Sequence, residues 1–207
     1  MGVIKSSRTL FFTTSPRSPK KLIPEIALLV DNFSGQTWSG NEQVQEEFAR
    51  TLAAATTFEG DTSKKYSAFS ARARITRSPQ GLGFVDLSPT IQLTEAGESF
   101  IHGNRPHEIF LRQLLKFQLP SPYHKEGSKI KGTFWGRPYL EIIRLIRDLD
   151  HLTRAACRIF ALQLTDYRNY EAVKNQIISF REEKEKHKGQ YKRFIDDVIN
   201  REISKIY

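Results

Sequence analysis

Residues Ser63–Leu93 read SKKYSAFSARARITRSPQGLGFVDLSPTIQL. The stretch divides into a basic helix, a turn bounded by Gly81 and Gly83, and a two-stranded hairpin. Asp61, Thr62 or Ser63 can cap the helix, because their side-chain oxygens accept from backbone N–H groups that have no intrahelical partner. At 100° per residue, Tyr66, Phe69 and Ala73 share one side, which is expected to face inward. Ser67, Ser70, Arg74 and Ser78 then face outward, with Lys64, Ala71 and Arg77 at the edges. Residues 62–80 hold five Lys/Arg and no Asp/Glu. Small residues let a helix approach base edges in the DNA major groove, and arginine can grip guanine O6 and N7 in bidentate fashion. The pattern therefore points to base reading by Ser67, Ser70, Arg74 and Arg77, against the plainer alternative of a solvated basic helix.

The flanking elements give this helix a place. Pro24 opens a helix, PEIALLVDNF, since proline suits the first turn. A turn from Gly35 to Gly40 contains Trp38. A second helix runs from Asn41 or Glu42 to about Thr56, with Val44, Phe48, Leu52 and Ala55 at helical spacing. The hairpin follows as Gly83–Leu87 and Thr90–Leu93 about a Ser88-Pro89 turn. Helix, helix, basic helix, hairpin is the order of a winged helix-turn-helix, whose third helix enters the major groove. Thr94 can cap a helix Glu95–His102, and a further helix after Pro106 carries Ile109, Phe110, Leu114 and Phe117 as a buried stripe.

The remainder reads as helical. Residues 119–137 contain Pro120, Pro122, Gly127, Gly132 and Gly136 with Lys125, Lys129 and Lys131, the composition of a basic connector. Beyond it, PYLEIIRLIRDL forms an amphipathic helix, and Thr153 caps a second through Leu164. A long helix led by Asp166 or Asn169 runs to about Lys188, burying Val173, Ile177 and Phe180. Gly189 is its expected C-cap, and a last helix carries Phe194, Val198 and Ile203. Arg181–Lys186 reads as a solvated charged face. The expected class is mainly α: a winged helix-turn-helix of three helices plus a hairpin wing, followed by a second helical, helix-turn-helix-like subdomain. The expected boundaries are 1–118, with an N-terminal arm, then the connector 119–137 and the second subdomain 138–207.

Composition narrows the function. The 207 residues carry a net charge of +9, which points to a polyanionic partner. In the N-terminal arm, Arg17, Lys20 and Lys21 lie in a proline-bounded basic loop, SPRSPKK. Together with Lys64, Lys65 and Arg72 they are expected to contact the DNA backbone, which sets register without carrying sequence information. The single cysteine, Cys157, excludes an internal disulfide and fits a reducing compartment as a packing thiol. The basic, Ser/Thr-rich first 24 residues have the composition of a transit peptide and Gly2 fits a myristoylation pattern, but Leu10–Thr14 reads instead as a structured strand or packing segment. Catalytic constellations are lacking: His102, His107, His124, His151 and His187 show no metal-ligand spacing. The Glu182-Glu183-Lys184 string lies on a charged helix without the clustered carboxylates that a Mg²⁺ nuclease needs.

Several pieces, in order, resemble the N-terminal DNA-recognition region of AlwI-like type IIS restriction endonucleases, including BstNBI-type nicking endonucleases. They are Ser15–Pro19 with the Pro24–Leu29 helix, Ala68–Arg74, Gly83–Val85, Leu93–Gly97, Arg105-Pro106 with Phe110-Leu111, and Phe180–Lys184 through Lys188-Gly189-Gln190. The resemblance spans nearly the whole chain. It implies binding of a short asymmetric duplex site. A separate C-terminal PD-(D/E)XK nuclease domain using Mg²⁺ would cut outside that site, in some members with a second subunit for the other strand. On this expectation the 207 residues are a recognition region without nuclease or cofactor, monomeric, free of membrane and working in the bacterial cytoplasm. The competing readings are a stand-alone winged-helix transcription regulator, which would be a two-fold dimer on palindromic sites, and an RNA-binding or structural basic protein. The latter would use an aromatic sheet that nothing here supplies.

Overall fold

In the computed structural model, residues 19–55, 67–121 and 134–204 are described. They fall into two units that divide between Lys116 and Phe117.

The N-terminal unit begins with α1, Pro19–Phe33. The helix starts five residues before the expected Pro24, so Lys20 and Lys21 stand in its first turn and not in a loop. Pro24 removes one backbone donor, and the helix persists because Leu22, Ile26, Leu29 and Phe33 form a buried stripe on one side. Helix α2, Glu42–Ala55, starts where Asn41 Oδ1 accepts from the Val44 N–H at 3.3 Å. Trp38 in the intervening turn is buried edge-on to Phe48, and the Gln45 side chain donates to its carbonyl at 2.7 Å.

Helix α3, Ser67–Ile75, continues into a single π-helical turn, Thr76–Gln80. Pro79 lies in that wider turn, where its missing N–H breaks the regular ladder. Strand β1, Val85–Asp86, pairs antiparallel with β2, Gln92–Leu93, in the register Val85 to Leu93 and Asp86 to Gln92. The hairpin thus sits where expected, with short strands. A further backbone pair ties it to the α1–α2 turn: the Gly35 N–H donates to the Ile91 carbonyl at 2.9 Å, and the Ile91 N–H to the Gln36 carbonyl at 2.8 Å.

Thr94 caps α4, Glu95–His102, by accepting from the Gly97 N–H at 3.0 Å, and donates to the Gly83 carbonyl at 2.6 Å. Gly97 is required here, because a Cβ would lie 2.0 Å from the Phe84 carbonyl oxygen. Helix α5, Pro106–Lys116, brings Phe110 into a stack with Phe84 and Phe100. Its expected stripe is only partly enclosed: Ile109, Phe110 and Leu114 are half-buried, and buried Phe117 belongs to the next unit, edge-on to Tyr139.

The C-terminal unit is helical. Residues 122–133, most of the expected connector, lie outside the described residues. Its ends are built into the unit: Leu119 pairs with Gly136, and Trp135 with Asp166, as isolated bridges. Helix α6, Pro138–Leu149, opens on the proline as expected. Thr153 caps α7, Arg154–Ile159, which is shorter than expected and gives way to a 3₁₀ turn, Ala161–Gln163. Asp166 caps another 3₁₀ turn, Tyr167–Asn169, that leads into α8, Tyr170–Lys186. The helix ends on His187, not on Gly189. Helix α9 is Tyr191–Ile203. Leu145, Ile159, Phe160, Val173, Ile177, Phe180 and Val198 make the core. Cys157 is partly buried beside it, and burial raises its thiol pKa. Arg181 leaves the charged run: its guanidinium donates to the carbonyls of Leu149 and His151, capping the end of α6.

Candidate nucleic-acid interface

Helix α3 is turned relative to the expected phase. Ala71 and Ile75 are fully buried, and Ser78 is buried in the π turn. Phe69, expected inward, is 57% exposed. Arg74, expected outward, is drawn to α1: its Nε donates to Glu25 Oε2 at 2.7 Å, and its Nη2 pairs with Oε1. Their side chains are 13% and 2% exposed. A buried carboxylate is tolerated only when paired, so Glu25 selects the rotation of α3 and holds Arg74 away from solvent. The expectation that Arg74 faces outward is corrected on this ground, as is that for Ser78.

The face that α3 presents instead comprises Phe69, Arg72, Ala73 and Thr76, with Ser70 half-buried at its edge. Arg72 is exposed, and its guanidinium lies 5.5 Å from the Phe69 ring centroid, within cation–π range. The Thr76 hydroxyl donates to the Arg72 carbonyl at 2.7 Å, keeping that side chain on the helix. No acid occurs on α3. Lys20 and Lys21 are exposed on the first turn of α1. The side chains of Ser67 and Arg77 lie outside the described residues, as do Arg17, Lys64 and Lys65.

The C-terminal unit has a cationic feature that the sequence reading passed over. An open cleft of about 710 Å³ at the α8–α9 turn is lined by Lys188, Gln190, Tyr191, Lys192, Arg193 and the acid Asp196. Helix α9 has no side-chain cap and no acid in its first turn. The Lys188, Lys192 and Arg193 cluster was visible in the sequence, but the mixed-charge run Arg181–Lys186 before it masked the local excess of positive charge. Lys188 also pairs with Glu185 at 3.1 Å, so part of the cleft's charge is balanced internally.

Nothing in the described residues suits a catalytic divalent metal: no group of three or more His, Cys, Asp or Glu is placed to hold one. Glu182 and Glu183 are exposed on α8, while the Lys184 ammonium lies over the Tyr191 ring. No step of phosphodiester hydrolysis can be routed through these groups. No described helix is long and apolar enough to cross a membrane.

The chain is basic and mainly helical, with an acid-free helix turned outward. The family model described as AlwI restriction endonuclease matches residues 80–206, more than half of the chain. The chain belongs to the AlwI restriction endonuclease family. No curated protein matches it.

Proposed function

We propose that this chain is the duplex-DNA recognition region of a type IIS restriction or nicking endonuclease. It binds a short asymmetric site and positions a separate Mg²⁺-dependent nuclease domain. The observation that carries the reading is the family match, joined to an acid-free α3 that turns Phe69, Arg72 and small residues outward. The winged-helix reading of the N-terminal unit is supported by the element order α1, α2, α3, hairpin and by the Gly35/Gln36–Ile91 backbone pair, which extends the hairpin toward a third strand. In this reading Lys20 and Lys21, with Arg17, Lys64 and Lys65, meet phosphates, and the face of α3 meets base edges. Ser67, Ser70 and Arg77 remain candidates for that face. Arg74 is a positioning residue that holds α3 on α1 through Glu25. The protein acts as a monomer in the bacterial cytoplasm.

Selecting bound duplexes from a random pool tests the proposal. Enrichment of one short asymmetric sequence is the expected result. A palindrome would favour a dimeric regulator, and no enrichment at all would remove sequence reading from the chain.

A further inference from the structure

We infer that Phe69 and Arg72 form a single reading unit that recognises a thymine beside a guanine in the major groove. The inference rests on the reading of α3 as the groove helix. A phenylalanine that is 57% exposed on a nine-residue helix of mostly small side chains is not explained by packing, because the buried side of α3 is already filled by Ala71 and Ile75 and tied by Arg74 to Glu25. Its neighbours on the outward face are the exposed Arg72 and the half-buried Ala73 and Thr76, with no acid on the helix. The surroundings match a polyanion with an apolar spot at its floor, and the major groove provides one in the thymine C5 methyl. An apolar protein partner would not account for the guanidinium held over the ring at 5.5 Å.

The spacing fixes which bases the pair can share. Residues three apart on a helix are displaced by about 4.5 Å along its axis, close to the ~3.4 Å between stacked base pairs. Phe69 and Arg72 therefore reach the same or adjacent base pairs. With Arg72 donating to guanine O6 and N7 and Phe69 against a methyl, the two bases must be neighbours. The contact with the Phe69 ring also restrains Arg72 before DNA arrives, which reduces the side-chain entropy lost on binding.

The test uses the whole chain and the duplex selected from the random pool. Each thymine in that duplex is replaced by uracil, and each guanine by 7-deazaguanine. Wild type, Phe69→Ala and Arg72→Ala are compared, with thermal melts to confirm that both variants fold. For wild type, one uracil substitution should weaken binding roughly fourfold, the worth of one buried methyl, and Phe69→Ala should be indifferent to it. One adjacent 7-deazaguanine substitution, which removes N7 and leaves O6, should weaken wild type by roughly 5-fold, the low end of the range for a bidentate arginine–guanine pair, and Arg72→Ala should be indifferent to it. Wild-type binding insensitive to every uracil, a selected site without thymine, or Arg72→Ala losing affinity equally on cognate and scrambled duplexes would overturn the inference while leaving a selected site in place. Failure to select any site would overturn the recognition reading itself and this inference with it.

Discussion

At the scale of single residues, the Glu25–Arg74 pair does the most to define this molecule. Two charges removed from water must satisfy each other, and leaving one alone costs about 3–5 kcal/mol. Arg74→Ala and Glu25→Gln are each expected to lower stability by about that amount, seen as a fall in the denaturation midpoint, whereas Arg72→Ala should change it by less than ~0.5 kcal/mol. Similar losses for Arg72 and Arg74 would show that the pair does not set the packing of α3. A second residue-scale prediction concerns pH. Burial, and then its hydrogen bond to Asp148 at 2.8 Å, push the Tyr170 hydroxyl up to about 12. An unfolded tyrosine ionises near 10. The stability contributed by keeping Tyr170 protonated is thus intact below pH 10 and is lost as pH rises from 10 through 12. Tyr170→Phe should flatten that alkaline decline, measured by denaturation at a series of pH values.

At the scale of elements, caps and periodicity were legible and rotation was not. Thr94 and Thr153 cap the helices they were expected to cap, because the capping signal is carried within three residues. The buried side of α8 followed from the spacing of Val173, Ile177 and Phe180. Helix α3 offered apolar residues on both sides, Tyr66, Phe69 and Ala73 against Ala71 and Ile75. The choice between them was made by Glu25, a partner 49 positions away that no local pattern reveals. The outward face of α3 was consequently expected on the wrong side of the helix. The early start of α1 was hidden because Pro24 looks like a first-turn residue and the buried Leu22 precedes it. One element-scale prediction follows from the contact between the hairpin and α4. Gly97→Ala places a methyl against the Phe84 carbonyl and should destabilise the N-terminal unit by about 1–3 kcal/mol or more. An unchanged melting temperature would mean that Phe84 and α4 can separate freely.

At the scale of the whole molecule, the charge of +9 fits a polyanionic partner, and the family match gives a restriction enzyme role. Neutralised phosphates release counterions, so the affinity for any duplex should fall steeply and linearly on a log–log plot against salt. The purified chain with Mg²⁺ should leave a plasmid carrying the selected site intact, because no described carboxylate cluster could hold the metal. Nicking by the purified chain would place a nuclease centre within these 207 residues. The central claim is that the outward face of α3 chooses the DNA site. Its most direct test is to run the random-pool selection in parallel with wild type and with a Phe69→Ala/Ser70→Ala/Arg72→Ala variant whose thermal melt matches wild type. Wild type should enrich one short asymmetric sequence, and the variant should retain salt-sensitive binding while enriching none. Enrichment of the same sequence by both proteins would contradict the claim.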